Sequence, residues 1–301
     1  MSTRFAQEIL RTFHIVPRER SGGLESRSGA GVQPVVTLGG TDAYLKITPA
    51  SLGPDALAAA RRELRFYRDL APIAPVRAPR LINHVDVADG VALLLADAGG
   101  SLAVNTWRER DWAALGHDLA ALHSAFGLPT RMWDGPDALG AAMADPDIRT
   151  MREFWEPALP QFDHILSGFD RLRGDMCAVP PTFVHGDCHT ENVTFDHGSL
   201  VLCDWQSSGV GRPSGDLALL SVRATPAGVA VPRALFDAYL EVNTERSAEM
   251  HRATLAEELA ILLFQWPHYA MYNTPTGNDR IRKRGTDLAA QWTGESAPGG
   301  H

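Results

Sequence analysis

The sequence predicts an α+β fold in two lobes, a small lobe rich in β-strands followed by a larger helical lobe. The chain has 301 residues, more than one domain of ordinary size requires. Strand-like runs separated by short glycine-containing turns fill much of the first third, whereas helical periodicity dominates afterwards. The composition changes at Gly99-Gly100. We therefore assign residues 1–98 to the N-terminal lobe, 99–292 to the C-terminal lobe and 293–301 to a disordered tail.

The charge and cysteine content argue against several classes of protein. The sequence has 28 Lys and Arg against 36 Asp and Glu, a net charge of −8, and no basic block that would neutralise a nucleic-acid backbone. Its apolar runs are far shorter than the roughly 20 residues that span a bilayer. Glu8 and Arg11 interrupt the N-terminal stretch where a secretory signal would be apolar. Three cysteines without CxxC spacing indicate reduced thiols. We expect a cytoplasmic protein with neither a nucleic-acid nor a membrane partner.

The N-terminal lobe is expected to contain two helices and five strands. A short amphipathic helix over 1–13 carries apolar residues at helical spacing. Pro54 suits the first turn of a second helix over 54–70, in which Glu63 borders the buried stripe. The strand-like runs cover residues 14–16, 34–38, 43–47, 80–87 and 91–95.

The C-terminal lobe is expected to be mainly helical. A helix over 111–126 presents an apolar side and should be central to the lobe. Two short strands, 193–195 and 200–203, flank a turn at 196–199. The other expected helices cover residues 137–156, 159–174, 214–222, 232–247, 249–266 and 279–292.

The densest group of reactive side chains lies between these helices. It reads His185-Gly186-Asp187-Cys188-His189-Thr190-Glu191-Asn192, and Asp204-Trp205-Gln206 follows after a hairpin. Carboxylate and amide oxygens of Asp187, Asn192 and Asp204 are hard donors of the kind that Mg²⁺ prefers, together with water and substrate phosphates. We expect them to form one set at the base of a cleft.

The HxDxxxxN spacing of residues 185–192, with Asp204 after it, resembles the catalytic and metal-binding loops of the protein-kinase-like fold. Gly186 after the histidine, and Asp-Trp-Gln in place of Asp-Phe-Gly, are similar to the branch that contains aminoglycoside phosphotransferases and choline kinase. Gly215-Asp216-Leu217-Ala218 resembles the family motif whose Asp holds the catalytic loop, and Leu122-His123-Ser124 resembles the end of its supporting helix. Residues from about 20 to 225 follow the family's order.

The resemblance implies a phosphoryl transfer in which an Asp orients the acceptor hydroxyl and takes its proton late. Asp187 would be this catalytic residue, and Asn192 and Asp204 would hold Mg²⁺. Lys46 in a strand and Glu63 on the next helix would form the Lys–Glu ion pair that binds the nucleotide phosphates. His185 and Asp216 would support the loop structurally.

The lysine content strengthens the assignment of Lys46. The chain has only two lysines, Lys46 and Lys283, although it has 28 basic residues. A compact ammonium fits between phosphate and carboxylate oxygens in a narrow slot, whereas a planar guanidinium is wider. The alternative is a chance exposed lysine on a strand.

The phosphate donor is expected to be ATP or GTP. The glycine-rich stretch over 21–31 departs from the GxGxxG spacing and is either the tip of a hairpin or a loop that covers the phosphates with the backbone amides of residues 21–28. The segment that contains Leu95 and Asp97 would supply the backbone edge for the purine. The base itself is left open, as is the choice between a monomer and a homodimer.

The family resemblance implies that the acceptor is a small molecule with a hydroxyl group, an antibiotic of the aminoglycoside or nucleoside type. Trp266, His268 and Tyr269 are candidates for its binding site, with core packing as the alternative. His189 either lines the acceptor side or is an ordinary loop residue. A metabolic kinase for an amino alcohol or sugar is the second possibility. An HxDxH metallohydrolase and an inactive nucleotide-binding protein are alternatives of other classes.

Overall fold

The computed structural model describes residues 3–18, 24–25, 31–125, 133, 135–156, 158–242 and 246–294. The chain divides into two compact units. Unit 1 comprises Met1–Ser101 and Val193–Ser208, and unit 2 comprises Leu102–Asn192 and Gly209–His301. None of the described helices is both long and apolar enough to cross a bilayer.

Unit 1 is built on an antiparallel sheet with the strand order β1-β3-β4-β6-β5, and β2 pairs with β3 outside this path. The helix α1 and the residue after it place Phe5, Ile9 and Phe13 in a hydrophobic cluster with apolar residues of the sheet. The turn between β3 and β4 contains Gly40 at φ +75°, a conformation that glycine adopts without steric cost. The elements of this sheet and its first helix are α1 Thr3–Thr12, β1 Ile15–Pro17, β2 Leu24–Glu25, β3 Gly31–Thr37, β4 Asp42–Pro49, β5 Leu81–Val87 and β6 Gly90–Ala96.

The second helix of unit 1, α2, spans Pro54–Arg65 and continues as a π-helical turn over Phe66–Leu70. Pro54 lies in the first turn, where its missing N–H has no intrahelical acceptor to lose. The apolar stripe packs Ala60 and Leu64 inward, and Glu63 is buried beside them. The π-helical turn changes the phase of the helix and buries Phe66, Tyr67 and Leu70.

A small three-stranded sheet completes unit 1, with β7 at Gly100–Ser101, β9 at Val193–Asp196 and β10 at Ser199–Leu202. The expected lobes placed 193–208 in the C-terminal part, but this segment groups with unit 1. It contacts the rest of unit 1 through the antiparallel pairing of β7 with β9, which opposes Gly100 to Phe195, and through the contacts of Lys46 with Asp204 and of Phe66 with Trp205. Gly99 has φ +85° and a Cβ there would overlap the backbone of Phe195, so this junction requires glycine.

Unit 2 is mainly helical and also contains a two-stranded sheet of β8, Thr182–Val184, with β11, Gly209–Gly211. Its core joins apolar residues of eight of the helices, including Trp155, Leu172, Leu259 and Trp292. The helices are α3 Glu109–His123, α4 Ala138–Ala144, α5 Ile148–Trp155, α6 Phe162–Ser167, α7 Phe169–Met176, α8 Pro213–Ala224, α9 Arg233–Leu240, α10 Ser247–Ala260, α11 Trp266–Tyr269 and α12 Pro275–Thr293.

Several expected helices of unit 2 are divided in the structure. The stretch 137–156 forms α4 and α5, because Pro146 interrupts it and Asp147 caps the second helix by accepting from the Thr150 N–H. The stretch 159–174 divides at Gly168, and 249–266 forms α10 and then a π-helical turn over Ile261–Gln265. The tail expected from 293 begins within α12, which ends at Thr293, and 295–301 lie outside the described residues.

Candidate functional site

Unit 1 brings three of the expected site residues together. Lys46 lies on β4, Glu63 on α2 and Asp204 directly after β10. The Nζ atom of Lys46 is 2.6 Å from Oε2 of Glu63 and 2.7 Å from Oδ1 of Asp204. The Lys46 and Glu63 side chains are only 10% and 1% exposed, whereas that of Asp204 is 29% exposed. The ammonium therefore joins a buried carboxylate to one that solutes can reach.

The two neighbouring carboxylates keep the buried Lys46 side chain positively charged. Burial by itself lowers the pKa of Lys46, but the carboxylates of Glu63 and Asp204 more than offset it and leave that pKa raised. Lys46 is therefore charged throughout the physiological range. A fixed positive charge of this kind, held in a site of low dielectric, suits the binding of an anion such as a phosphate.

The backbone at Asp204 is held in an unusual conformation by its neighbours. Asp204 has φ 63° and ψ 64°, a left-handed geometry that costs energy in a residue other than glycine. Trp205 stacks on Phe66 of the π-helical turn, with ring centroids 3.7 Å apart and an interplanar angle of 9°. Arg62 donates from Nη1 to the carbonyl oxygen of Gln206 at 3.0 Å. Helix α2 thus positions both Glu63 and the turn that carries Asp204.

Unit 2 holds the loop of residues 185–192 through Asp216. This carboxylate is 2% exposed and accepts from the backbone N–H groups of His185 at 2.8 Å and Gly186 at 2.9 Å. Nε2 of His123 lies 3.1 Å from the same carboxylate, and Nδ1 of His123 lies 3.0 Å from the Tyr239 hydroxyl. Burial raises the pKa of Asp216, but these donors more than offset it and hold that pKa below its usual range. An ionised Asp216 therefore fixes the start of the loop.

Asp187 and Asn192 contact each other at the two ends of the loop's reactive stretch. Nδ2 of Asn192 donates to the backbone oxygen of Asp187 at 2.9 Å and approaches its Oδ2 at 3.3 Å. The Asp187 side chain is 33% exposed. Burial raises the pKa of Asp187, and the adjoining His189, with smaller effects of His185 and Arg223, leaves it lowered. The loop therefore presents an ionised, accessible carboxylate.

The expected metal ligands have the right chemistry for Mg²⁺. Asp204 supplies a partly exposed carboxylate, and because Asn192 uses its amide nitrogen toward Asp187, its amide oxygen is left for a cation. One or two such oxygens are the usual protein contribution to a magnesium site. Asn192 is the last residue of the first segment of unit 2, and Asp204 belongs to unit 1. The described residues include no group of three or more His, Cys, Asp or Glu side chains that could hold a metal, so the HxDxH alternative gains no support.

The expected purine edge lies at the end of β6. Leu95 is buried and pairs with Tyr44 on β4 and Leu81 on β5. The Asp97 carboxylate is exposed and accepts from the Gly99 N–H at 2.9 Å. In the stretch 21–31 the structure describes only Leu24, Glu25 and Gly31; the other residues proposed to cover the phosphates lie outside the described part of the chain.

The acceptor candidates occupy different environments. Trp266 is 5% exposed in the core of unit 2, and its indole N–H donates to Oδ1 of Asn278 at 3.2 Å. This position corresponds to the core-packing alternative, so we do not retain Trp266 as an acceptor contact. His268 and Tyr269 are exposed, with Tyr269 at 51%. His189 is 6% exposed beside Asp187.

Sequence reasoning did not identify Phe66, Tyr239 or Arg223, and it assigned no role to Glu191. Arg223 of α8 forms an ion pair with Glu191 of the loop, and Tyr239 extends the Asp216 network. Phe66 lies next to the expected helical stripe, but the π-helical turn that aims it at Trp205 has no sequence signal that we can name. Contacts across more than a hundred residues, such as His123 with Tyr239, likewise follow only from tertiary structure.

A family model described as the phosphotransferase enzyme family, APH, matches residues 28–266. A comparison with curated proteins gives no significant match.

Solved structures with a similar fold include three kinases. The GDP complex of aminoglycoside 2'-phosphotransferase-IIIa has a TM-score of 0.62 at 11% identity, over 96% of this chain and 98% of its own. Ethanolamine kinase of Plasmodium vivax has a TM-score of 0.60 at 12% identity, over 94% of this chain and 83% of its own. An amicoumacin kinase with AMP-PNP and Ca²⁺ has a TM-score of 0.58 at 11% identity, over 95% of this chain and 94% of its own. At these identities the likeness concerns the fold, which is therefore kinase-like.

Proposed function

The chain belongs to the phosphotransferase enzyme family and is a small-molecule kinase that transfers phosphate to a hydroxyl group, and from this premise we propose that its acceptor is an antibiotic. The donor in this proposal is ATP or GTP. The observation that carries the chemistry is the accessible Asp187 carboxylate, held in place by Asn192 and by a loop anchored on Asp216.

Asp187 acts on the acceptor hydroxyl. With its pKa lowered, the carboxylate is ionised at neutral pH, so it accepts a hydrogen bond from the hydroxyl and orients the oxygen for in-line attack. A loose phosphoryl-transfer transition state develops little charge on the nucleophile early, so a weak base that takes the proton late is sufficient. The bond from the γ-phosphorus to the bridging oxygen breaks as the bond to the acceptor oxygen forms.

Lys46 binds the transferring end of the nucleotide. Its ammonium, fixed by Glu63 and Asp204 at 2.6 and 2.7 Å, offers positive charge that needs no reorganisation during the reaction. Asn192 and Asp204 are the residues that would hold Mg²⁺, which neutralises phosphate charge when bound. Leu95 and Asp97 are proposed at the purine edge.

Two features support an antibiotic as the acceptor. Two of the kinases with this fold are named for antibiotic substrates, and the chain's net charge of −8 favours cationic ligands such as aminoglycosides. The second candidate is a metabolic kinase, supported by the fold of ethanolamine kinase. His268 and Tyr269, both exposed on α11, are the proposed acceptor contacts.

A product assay separates these candidates. The purified protein is incubated with Mg²⁺ and ATP or GTP, with single members of a panel of aminoglycosides, nucleoside antibiotics, choline, ethanolamine and homoserine, and phosphorylated products are detected by mass spectrometry. Phosphorylation of an antibiotic supports the proposal, and raised resistance of a susceptible strain that expresses the protein extends it. Phosphorylation of the metabolites alone assigns the second function.

A matched pair of variants tests the role of Asp187 in the same assay. We expect Asp187→Asn to lower kcat about 10²–10⁴-fold, because the general base is lost, with little change in nucleotide affinity. The control Asp170→Asn alters an exposed carboxylate on α7 and should keep the parent rate. If Asp187→Asn turns over like the parent, Asp187 is not the catalytic residue.

A further inference from the structure

His189 lies between two carboxylates of the catalytic loop. Its Nε2 is 3.6 Å from Oδ1 of Asp187, and its Nδ1 is 3.6 Å from Oε2 of Glu191. These separations are slightly longer than hydrogen bonds, and Nδ1 is a buried nitrogen without a hydrogen-bond partner. With 6% of its surface exposed, His189 is buried beside these carboxylates.

The arrangement continues from His189 to helix α8. Glu191 pairs with Nη2 of Arg223, and Arg223 lies two turns after Asp216 on the same helix. Asp216 holds the backbone at His185 and Gly186. Helix α8 therefore supports the loop at two places: at its start through Asp216 and near its end through Arg223 and Glu191.

The Asp187 carboxylate has a different neighbour at each oxygen. Asn192 approaches Oδ2 at 3.3 Å, and His189 faces Oδ1 at 3.6 Å. The torsion that rotates a carboxylate about its Cβ–Cγ bond has a broad minimum, so groups on both sides are needed to fix the plane of the oxygens.

We propose that His189 is a positioning residue for Asp187, held in place by Glu191 and Arg223, and that it presents Nε2 to the carboxylate so that the plane of the base is fixed before the acceptor arrives. This inference rests on the proposed function of Asp187. It replaces a direct contact of His189 with the acceptor, because both ring nitrogens face protein carboxylates and little of the ring is exposed.

The two ring nitrogens of His189 can be tested separately, because each faces a different carboxylate. In His189→Gln the side-chain amide N–H reaches the position of Nε2, facing Asp187, whereas in His189→Asn it reaches only the position of Nδ1, facing Glu191. Loss of a group that orients a functional side chain commonly costs about 10–100-fold in activity. We expect His189→Ala and His189→Asn to lose kcat in that range and His189→Gln to keep most of the parent's kcat.

The probe for these variants is Mg²⁺ with ATP or GTP and water as the acceptor, followed by phosphate release, and nucleotide Kd is measured separately. His164→Gln, on an exposed face of α6, is the matched control. A kcat loss in the Ala and Asn variants with an unchanged nucleotide Kd and an unchanged melting temperature supports positioning. Equal losses in Gln, Asn and Ala, or losses that follow the melting temperature, overturn it.

A spectroscopic measurement tests the contact independently of turnover. The ring ¹⁵N resonances of His189, assigned by their absence in His189→Gln, should shift at Nε2 in Asp187→Asn, while those of His164 stay in place. An unchanged Nε2 resonance contradicts the proposal even if the enzyme is active. Absence of phosphoryl transfer in the parent protein would instead contradict the proposed function and leave the spectroscopic contact intact, so the two failures are distinguishable.

Discussion

The indole of Trp205 stacks on the ring of Phe66 with their centroids 3.7 Å apart and the planes within 9° of parallel. Trp205 directly follows Asp204, and Phe66 lies three residues after Glu63. The aromatic pair therefore joins the helix that carries one partner of Lys46 to the turn that carries the other. An aromatic pair of this kind stabilises the folded state by about 0.5–1.5 kcal/mol in addition to the contribution of its buried surface area.

Removal of this stack is expected to displace Asp204. Phe66→Ala should lower the free energy of unfolding by about 3–5 kcal/mol and raise the apparent KM for Mg²⁺, because the carboxylate loses its support. Phe13→Ala, a buried ring in the α1 cluster of unit 1, is the control for stability alone. Urea denaturation and metal titrations of activity measure both effects. Equal metal dependence in the two variants would show that the stack does not position Asp204.

Replacement of Lys46 tests whether the site needs an ammonium group. Lys46→Arg keeps the charge but introduces a wider, planar group, and we expect kcat/KM to fall about 10²–10³-fold, as when a preorganised donor is lost. Lys46→Met should also destabilise the protein by about 3–5 kcal/mol, because Glu63 is left buried and unpaired.

Lys283→Arg is the matched control for Lys46→Arg. Lys283 is the only other lysine, is 76% exposed and pairs with Asp287 within α12. Steady-state kinetics of the two variants should therefore differ. Parent-like activity in Lys46→Arg would contradict the assignment of the ion pair.

The stability of the protein should depend on pH through Asp118 of α3. Burial raises the pKa of this carboxyl from its usual 3.8 to about 6. Because the folded state then holds the proton more tightly than the unfolded state, the carboxyl progressively destabilises the fold as the pH rises from about 4 through 6. Asp118→Asn should raise the melting temperature at pH 8 and have little effect at pH 4. A shift of equal size at both values would contradict the raised pKa.

Two glycines on helices of unit 2 should respond oppositely to alanine. A Cβ at Gly116 of α3 would overlap the carbonyl oxygen of Leu235 on α9, whereas nothing lies within 4 Å of one at Gly174 of α7. We expect Gly116→Ala to lower the free energy of unfolding by about 1–3 kcal/mol, because the added methyl group overpacks the contact between the helices. Gly174→Ala should raise the free energy of unfolding by about 0.5–1 kcal/mol. Thermal unfolding measures both; a stabilised Gly116→Ala would show that α3 and α9 have room to separate.

Much of the fold could be predicted because the local signals are strong. The strands β3, β4 and β6 follow apolar runs bounded by glycine turns, and α2 begins at the expected proline. The kinase-like fold and membership of the phosphotransferase family, predicted from the spacing of residues 185–204 and from Lys46, are confirmed. The reaction requires these residue types at fixed spacings, so they can be recognised in the sequence.

Other features depended on contacts between distant segments. Trp266 had the spacing and aromatic character of a ligand contact, yet it lies in the core, since the packing of α11 against its neighbours determines which side of the ring is covered. The grouping of 193–208 with unit 1 follows from a pairing of only two residues in β7, which is too short to be recognised from its composition, and from the contacts of Asp204 and Trp205 with Lys46 and Phe66.

The sequence by itself determined which groups we propose for catalysis: one lysine on a strand, a glutamate on the next helix, and the Asp187, Asn192 and Asp204 oxygens. It did so because a given chemistry requires particular side chains, and these are read directly. Only the tertiary structure decided that Phe66 supports Trp205, that Asp216 and Arg223 of α8 hold the 185–192 loop, and that His189 faces Asp187. Those relationships depend on helix phase and packing direction, which the long-range contacts of the folded chain determine.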